Sequence, residues 1–302
     1  MKNLKRQFEL NVQSKNLFSG ANKVVVAISG GVDSTTLAEL TLNYFENPQE
    51  HVYLAHVDHQ LRKGSYKEKE IINKQFKPRG IRIFHIIWEK KFHPKSGLEG
   101  AARDFRYKFY KSVCEKIGAS RVLLAQHAND QAETVLLKII RGEDWSAISS
   151  IPWSRKISNN SNIKVVRPLL NIPKKRFYVY AKMNHLKWIE DSTNKDINYT
   201  SRNKIRKIVL PCLKKINNNA VSNIAGFARQ INDLKNDQLI EMLKIWINHL
   251  DSSFPIKRSQ LEQFKKLLNN KKKPYGEIRL AKKHFLVKKK DEVFFKNKNK
   301  KI

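Results

Sequence analysis

The stretch from residue 24 to residue 40 constrains the fold of this chain more than any other segment. It begins with Val24-Val25-Val26-Ala27-Ile28, an apolar and mostly β-branched run that is typical of a buried parallel strand. The loop Ser29-Gly30-Gly31-Val32-Asp33-Ser34 follows, and residues 34–40 then show helical spacing. This order predicts a phosphate-binding site, because glycines let the backbone approach an anion and the first turn of the helix presents free N–H groups.

The loop differs from the two commonest phosphate-binding loops. It has neither the G-x-x-x-x-G-K-S/T pattern, which fixes a lysine over the β- and γ-phosphates, nor the G-x-G-x-x-G pattern. Asp33 is placed where its carboxylate could hold Mg²⁺ against the phosphates. The loop resembles that of the N-type ATP pyrophosphatases, which split ATP between the α- and β-phosphates. The structural alternative is an ordinary strand-to-helix turn.

Strand and helix patterns alternate over the first half of the chain. Strands are predicted at residues 24–28, 52–55, 81–88 and 121–125, with helices at 4–18, 66–76, 98–116 and from Asp130. This alternation predicts a doubly wound, Rossmann-like parallel sheet with helices on both faces. The regular pattern stops near Ser146, so we expect a catalytic domain over residues 1–212 with a helical extension from about 146. Residues 213–302, beyond Pro211-Cys212, are expected to form a small α+β C-terminal domain.

Composition indicates the partners of the chain. The formal net charge is +33 in 302 residues, which favours a nucleic-acid partner, although abundant surface lysine also accounts for part of the excess. Cys114 and Cys212 lie far apart in sequence, which argues against a disulfide scaffold, a zinc knuckle or an iron–sulfur cluster. No signal-peptide pattern and no apolar run of ~18 residues is visible. We therefore expect a soluble cytoplasmic protein that contacts no membrane.

Polar residues gather after two of the predicted strands, where doubly wound sheets bind ligands. His56 and Arg62 follow the second strand. Asp130 and Glu133 share the first turn of a helix after the fourth strand. Such acids often only complement the helix dipole, which is worth ~0.3–1 kcal/mol. Beside a nucleotide loop, they could instead hold Mg²⁺ or a cationic substrate.

Several blocks along the chain resemble the tRNA(Ile)-lysidine synthetase family, and they cover most of residues 20–212. One block departs from the family pattern H-H-x-D-D-x-x-E-T, because Gln126 replaces the first histidine and Asn129 the first aspartate. The resemblance rests on the Ser29-to-Ser34 loop, His56-Val57-Asp58-His59-x-Leu61-Arg62, Gly97-Leu98-Glu99-x-Ala101-Ala102-Arg103-Asp104-x-Arg106-Tyr107, Gln131-Ala132-Glu133-Thr134, Arg167-Pro168-Leu169-Leu170, Trp188-x-Glu190-Asp191 and Arg202-Asn203-x-x-Arg206.

The resemblance implies a sheet of the adenine nucleotide alpha hydrolase type and a ligase reaction. ATP would adenylate the C2 carbonyl oxygen of the wobble cytidine in a CAU-anticodon tRNA(Ile), and free L-lysine would then displace AMP to give lysidine. The implied ATP-binding residues are Ser29, Gly30, Gly31, Val32, Asp33, Ser34 and His56. Asp33 would hold Mg²⁺, and Asp130 and Glu133 would bind lysine. Arg106 and Arg202 would stabilise charge on the α-phosphate, and Arg62, Arg103 and Arg206 would contact tRNA.

Three further interpretations stay open at this point, and the most distant is an enzyme on the same fold that amidates carboxylates or purine rings using ammonia. A tRNA 2-thiolation enzyme with the same loop would attack the same carbon with sulfur, but such enzymes usually carry cysteine pairs. A non-catalytic RNA-binding protein could keep a nucleotide fold, although Asp33, Asp130 and Glu133 are all present. The sequence does not set the oligomeric state and leaves room for a homodimer.

Overall fold

A computed structural model describes residues 4–61, 64–143, 151–190, 200–250, 256–268, 270, 273–290 and 292–297. The chain divides into two compact units, Met1–Ala228 and Arg229–Ile302. The predicted domain boundary at residue 212 stays a prediction. Among the described residues, no helix combines the length and the apolar character that crossing a membrane requires.

Six strands of the first unit form one sheet, in the order β3-β2-β1-β4-β6-β5. The neighbours from β3 to β6 pair in parallel, and β5 pairs antiparallel with β6. The predicted doubly wound sheet is therefore confirmed. The strands are β1 (Val24–Ala27), β2 (Val52–Asp58), β3 (Ile83–Ile87), β4 (Arg121–Leu123), β5 (Ser154–Lys156) and β6 (Lys164–Val166).

Helices cover both faces of this sheet. The side chains of its strand β1 point alternately into two apolar cores, one on each face. Val24 and Val26 belong to one core with residues of α1, α2, α4 and α7, while Val25 and Ala27 belong to the other with residues of α5. The helices are α1 (Leu4–Ser14), α2 (Val32–Leu42), α3 (Pro48–His51), α4 (Tyr66–Phe76), α5 (Leu98–Ile117), α6 (Ala128–Ile140), α7 (Lys175–Met183), α8 (Ser201–Lys204), α9 (Leu210–Ile216), α10 (Ala220–Leu250) and α11 (Arg258–Leu268).

Two local details differ from the sequence reading. Lys164–Val166, which lie beyond the stretch of regular alternation, form strand β6 of the main sheet, because these residues pair with β4. Pro211 lies inside a helical run that continues from α8 through a π-helical turn, Ile205–Val209, into α9. Pro211 comes just after the π-helical turn, where the regular i→i−4 bonding is interrupted, so its missing N–H costs less than in an uninterrupted helix.

The second unit contains a three-stranded antiparallel sheet in the order β7-β8-β9. The strands are β7 (Tyr275–Arg279), β8 (His284–Lys289) and β9 (Glu292–Asn297). Leu286 of β8 packs in one apolar cluster with Leu261 and Phe264 of α11. The Lys288 ammonium is buried and donates to the carbonyl oxygens of Leu267, Leu268 and Asn270 at 2.9–3.2 Å. This lysine therefore satisfies carbonyl groups at the C-terminal end of α11.

Candidate active site

The nucleotide loop, defined as residues 29–34, leads from the end of β1 to the first turn of α2. Gly30 has φ +73°, a backbone conformation that residues with a side chain rarely adopt. The Ser34 hydroxyl accepts the Ser29 N–H at 3.1 Å and donates to the Gly31 carbonyl at 3.1 Å, which ties the two ends of the loop together. The Ile189 N–H donates to the Gly30 carbonyl at 2.8 Å. These bonds fix a concave backbone in front of the N-terminus of α2.

Two cavities meet at this loop. The His59 cavity, of about 230 Å³, reaches from Ser29 and Gly31 to residues at and after the end of β2, including Asp58 and His59. The Asp33 cavity, of about 350 Å³, is lined by Ser29, Asp33, Ser34, Arg103, Arg106, Gln126, Asp130 and Arg202, among others. Arg106 lines both cavities. The predicted convergence of several blocks on one edge of the sheet is therefore present in the structure.

In the His59 cavity, the side chain of His59 has no hydrogen-bond partner among the described residues. Both ring nitrogens are buried and make no hydrogen bond with any described residue. Burial and the charge of Arg106 lower the pKa of His59 to about 4. The imidazole is therefore neutral near pH 7 and can offer one donor and one acceptor to a ligand in the cavity.

Asp33 stands in the first turn of α2 with its two carboxylate oxygens in different surroundings. Oδ2 accepts the Lys174 ammonium at 2.9 Å and lies 3.6 Å from His127 Nε2. Oδ1 is buried and has no hydrogen-bond partner among the described residues. Burial by itself would raise the pKa of Asp33, but His127 and Lys174 outweigh it and hold that pKa below its ordinary value. The carboxylate is therefore ionised and keeps one uncommitted oxygen.

This arrangement fits a Mg²⁺ ion that is held partly by nucleotide phosphates. No group of three or more histidine, cysteine or acidic side chains in the described part of the chain could hold a metal ion. Mg²⁺ in nucleotide sites is commonly bound by one or two carboxylates together with phosphate oxygens and water. The uncommitted oxygen of Asp33 provides a ligand of this kind beside the nucleotide loop.

His127 connects Asp33 to the first turn of α6. It is the N-cap residue of that helix, and its Nδ1 accepts the Asp130 N–H at 3.4 Å while Asp130 Oδ2 accepts the His127 N–H at 3.0 Å. Burial would lower the pKa of His127, but the carboxylates of Asp130 and Asp33 raise it above its ordinary value. The capping interaction therefore fixes Asp130 at the wall of the Asp33 cavity.

Glu133 lies one turn further along α6 and is fully buried. Its Oε1 accepts Arg206 Nε at 2.7 Å, and its Oε2 accepts Arg202 Nε at 2.7 Å and an Arg206 terminal nitrogen at 2.9 Å. Asp130 Oδ1 accepts an Arg202 terminal nitrogen at 3.1 Å. Both oxygens of Glu133 are thus engaged by arginines, and the pair of acids anchors the helical run that contains Arg202 and Arg206.

Arg103, Tyr107 and Gln126, which line the Asp33 cavity, belong to a cationic cluster that also includes Arg155 and Arg167. The Arg103 and Arg155 guanidinium carbons lie 5.5 and 4.8 Å from the centre of the Tyr107 ring. Burial lowers the pKa of Arg167 to about 10, and Arg167 donates to Gln126 Oε1 and to the Pro152 carbonyl. Gln126, where the sequence departs from the family pattern, is therefore an acceptor for a buried arginine.

The remaining predicted residues lie outside the two cavities or outside the described residues. His56 is buried within β2, where its Nε2 lies 3.1 Å from Glu68 Oε2 and its Nδ1 lies 3.2 Å from His85 Nδ1. Gly30 and Val32 shape the nucleotide loop. Arg62 lies outside the described residues, as do residues 191–199. The roles assigned to these residues stay predictions.

Three residues of the site did not emerge from the sequence as site residues. His127 is one of them, although its position just before a helix is the signal for an N-cap. Lys174 is another, because it lies 141 positions from Asp33 in the sequence. Asn129, whose role the sequence left open, accepts the Lys174 N–H with its Oδ1 at 3.0 Å.

Comparisons with known proteins agree on the family and the fold. A family model described as a PP-loop domain matches residues 2–213. A tRNA(Ile)-lysidine synthase of Lactobacillus gasseri is 36% identical over 218 residues, 72% of this chain and 48% of that protein. The Lactiplantibacillus plantarum protein of the same name is 35% identical over 229 residues, 76% of this chain and 50% of that protein. The chain thus spans about half the length of the curated relatives it matches.

A solved structure with the same fold is a tRNA thiolase of Methanococcus maripaludis that carries an iron–sulfur cluster. It has a TM-score of 0.58 and 18% identity, with 76% of this chain and 77% of that chain covered. At this identity, the likeness concerns the fold alone.

Proposed function

Because this chain belongs to the PP-loop domain family, we propose that it is an ATP-dependent ligase that converts the wobble cytidine of a CAU-anticodon tRNA(Ile) into lysidine. Free L-lysine is joined to C2 of the base, and pyrophosphate and AMP are released. The names of the most similar curated relatives support this reaction. The proposed ion is Mg²⁺, and the proposed place of action is the cytoplasm.

The observation that carries the proposal is the set of residues that line the Asp33 cavity. One space contains the nucleotide loop with Asp33, the Asp130 carboxylate and the guanidinium groups of Arg103, Arg106 and Arg202. A base with its carbonyl oxygen in this space would meet both a nucleotide phosphate and an acid that can receive an amine. The reaction needs these groups together, because its two steps take place at the same carbon.

In the first step, the C2 carbonyl oxygen of cytidine attacks the α-phosphorus of ATP, and the bond to the β-phosphate breaks. The backbone N–H groups of the nucleotide loop at Gly30, Gly31 and Ser34 hold the departing pyrophosphate. Arg106 and Arg202 stabilise the charge that develops on the α-phosphate. Asp33 would hold Mg²⁺, and the ion would supply positive charge against the phosphates. His56 contacts Glu68, and Gly30 packs against Glu68, so we propose that His56 helps to hold Gly30 of the nucleotide loop in place.

In the second step, the neutral ε-amine of lysine attacks C2, and the bond from C2 to the oxygen of AMP breaks. The lysine amine must lose a proton to become a nucleophile, and Asp130 at the cavity wall is the proposed acceptor. Glu133 contributes to the lysine site by holding Arg202 and Arg206, since both of its oxygens accept bonds from them. AMP leaves with the oxygen that was the carbonyl oxygen of cytidine.

Binding of tRNA is proposed to involve Arg62, Arg103 and Arg206 together with the C-terminal residues 213–302. The small sheet and its turns present lysines to solvent, including Lys282 and Lys289. Lysines of this kind bind phosphates without reading sequence, so tRNA affinity should fall steeply as the salt concentration rises.

The rival readings receive less support. Fe–S clusters are typically held by four cysteines, whereas this sequence has two, of which Cys114 is buried. A protein that only binds RNA has no need of a buried carboxylate oxygen without a partner, and Asp33 keeps one. The proposal does not include the homodimer for which the sequence leaves room.

The test is incorporation of labelled lysine into RNA by the purified chain, with magnesium, ATP and an unmodified CAU-anticodon tRNA(Ile). The matched control is the same tRNA with uridine in place of the wobble cytidine. We expect incorporation only with cytidine and ATP, and its loss in Asp33→Asn. Incorporation that is equal in the two tRNAs, or that persists without ATP, would contradict the proposal.

A further inference from the structure

The nucleotide loop contains no lysine, yet the structure brings one to it from a distant part of the chain. Lys174 Nζ donates to Asp33 Oδ2 at 2.9 Å, although the two residues are 141 positions apart. Asp33 stands in the first turn of α2, within the nucleotide loop. A cation in this position is close to any phosphate that the helix N-terminus binds.

The backbone of Lys174 is held in place, while its ammonium is not enclosed. Its N–H donates to Asn129 Oδ1 at 3.0 Å, and its carbonyl accepts the Phe177 N–H at 2.9 Å at the start of α7. The side chain is 31% exposed, and Nζ lies 5.8 Å from the centre of the Tyr178 ring. A fixed backbone with a partly solvated, flexible side chain allows the ammonium to change partners without moving a helix.

We propose that Lys174 binds the β- and γ-phosphates of ATP and retains the pyrophosphate after the α–β bond breaks. In the absence of nucleotide, its ammonium is paired with Asp33, and the phosphates take over that ammonium when ATP binds. Lys174 thereby supplies the phosphate-binding lysine that the nucleotide loop lacks. This inference rests on the proposed use of ATP by the same site and adds a residue to it.

The competing explanation is that Lys174 only neutralises Asp33 and keeps α2 and α7 together. Under that explanation, removal of the ammonium weakens pyrophosphate binding only through the charge left on Asp33. A double variant with Asp33→Asn and Lys174→Ala then binds pyrophosphate as Asp33→Asn does, whereas under our proposal it binds more weakly. Under our proposal, affinity for ATP and pyrophosphate falls, and affinity for AMP does not, because AMP lacks the phosphates that Lys174 binds. The neighbouring Lys175 is exposed and provides the matched control for loss of one positive charge.

The experiment is calorimetric titration of ATP, AMP and inorganic pyrophosphate into the full chain, with magnesium and again with a chelator. Lys174→Ala is compared with wild type, Lys174→Arg and Lys175→Ala, and the double variant with Asp33→Asn and Lys174→Ala is compared with Asp33→Asn. We expect Lys174→Ala to weaken ATP and pyrophosphate binding about 10- to 100-fold, as for loss of one hydrogen bond between charged groups. AMP binding should stay within about 2-fold, Lys174→Arg should be intermediate, and Lys175→Ala should match wild type.

The pyrophosphate result with chelator is the decisive readout, because it depends on neither catalysis nor the ion. Equal pyrophosphate affinity in wild type and Lys174→Ala would overturn the inference, and so would an equal loss of ATP and AMP. Asp33→Asn separates this outcome from failure of the proposed function. If Asp33→Asn weakens magnesium-ATP binding while Lys174→Ala does not, only the role of Lys174 is wrong. If wild type binds no ATP, the proposed function fails and the inference fails with it.

Discussion

Asp33 and Glu133 are both acids near one cavity, but their surroundings differ. The Asp33 side chain is 27% exposed, has one carboxylate oxygen without a partner and shares the other with a flexible lysine. The Glu133 side chain is 1% exposed, and arginines engage both of its oxygens. The sequence suggests a ligand-binding role for both acids, but only Asp33 has a carboxylate oxygen that is available to a ligand.

The difference separates an acid that can bind a ligand from an acid that holds the site together. A carboxylate with an uncommitted oxygen can accept an ion or a substrate without losing existing bonds. Glu133, which has both oxygens paired, would first have to release one of its arginines while remaining buried itself, which is costly. We therefore expect Asp33 to act through binding and Glu133 through stability.

The largest effect that follows is on stability. We expect Glu133→Ala to lower the free energy of unfolding by about 3 kcal/mol, the low end for a broken buried ion pair, because Arg202 and Arg206 are partly exposed. Asp33→Asn should change it by no more than about 1 kcal/mol. Urea unfolding measures both. A Glu133→Ala variant that is as stable as wild type but requires more lysine would break the comparison and make Glu133 a lysine ligand.

A second prediction extends the comparison to lysines. Lys288 is buried against three carbonyl oxygens, whereas Lys174 has one exchangeable partner. We expect Lys288→Met to destabilise the small unit by about 1–3 kcal/mol, because those carbonyl groups lose their donor. Hydrogen exchange of the α11 amides measures this effect. The exposed neighbour Lys289→Met is the control, and equal exchange in the two variants would show that Lys288 is not a cap.

A smaller effect is expected at Asn129, which holds the backbone of Lys174. Asn129→Ala should weaken pyrophosphate binding about 3-fold, because one neutral hydrogen bond positions the lysine. Asn129→Asp, which restores the residue of the family pattern, keeps the acceptor oxygen and should bind as wild type does. Calorimetry distinguishes these variants, and equal affinity in all three would mean that the bond does not position Lys174.

The smallest expected effect concerns two half-buried histidines, His59 and His85. Burial lowers the pKa of both His59 and His85 to about 4, below the ordinary 6.5 of the unfolded chain. Between these pH values the unfolded chain binds protons that the folded chain does not, so stability falls as the pH is lowered. We expect the loss between about pH 7 and about pH 5 to be smaller in His85→Asn than in wild type. Equal losses in urea unfolding would contradict this reading.

Much of the fold was predictable because it depends on local pattern. The valines of β1, the glycines of the loop and the helical spacing after Ser34 each specify their own conformation. The placement of Asp33 and Asp130 on one cavity also followed, since parallel strands bring their carboxyl ends to the same edge. The partners of the acids did not follow. Whether Glu133 faces a substrate or two arginines depends on how residues 200–210 pack, and no spacing encodes the contact of Lys174 with Asp33.

The most direct test of the account is to identify the bond of ATP that breaks. The purified chain is incubated with magnesium, lysine, CAU-anticodon tRNA(Ile) and ATP labelled in either the α- or the γ-phosphate. The account predicts that labelled AMP and labelled pyrophosphate form in equal amounts, one of each for every lysine joined to tRNA. Release of ADP and inorganic phosphate instead would contradict the central claim that this site splits ATP between its α- and β-phosphates.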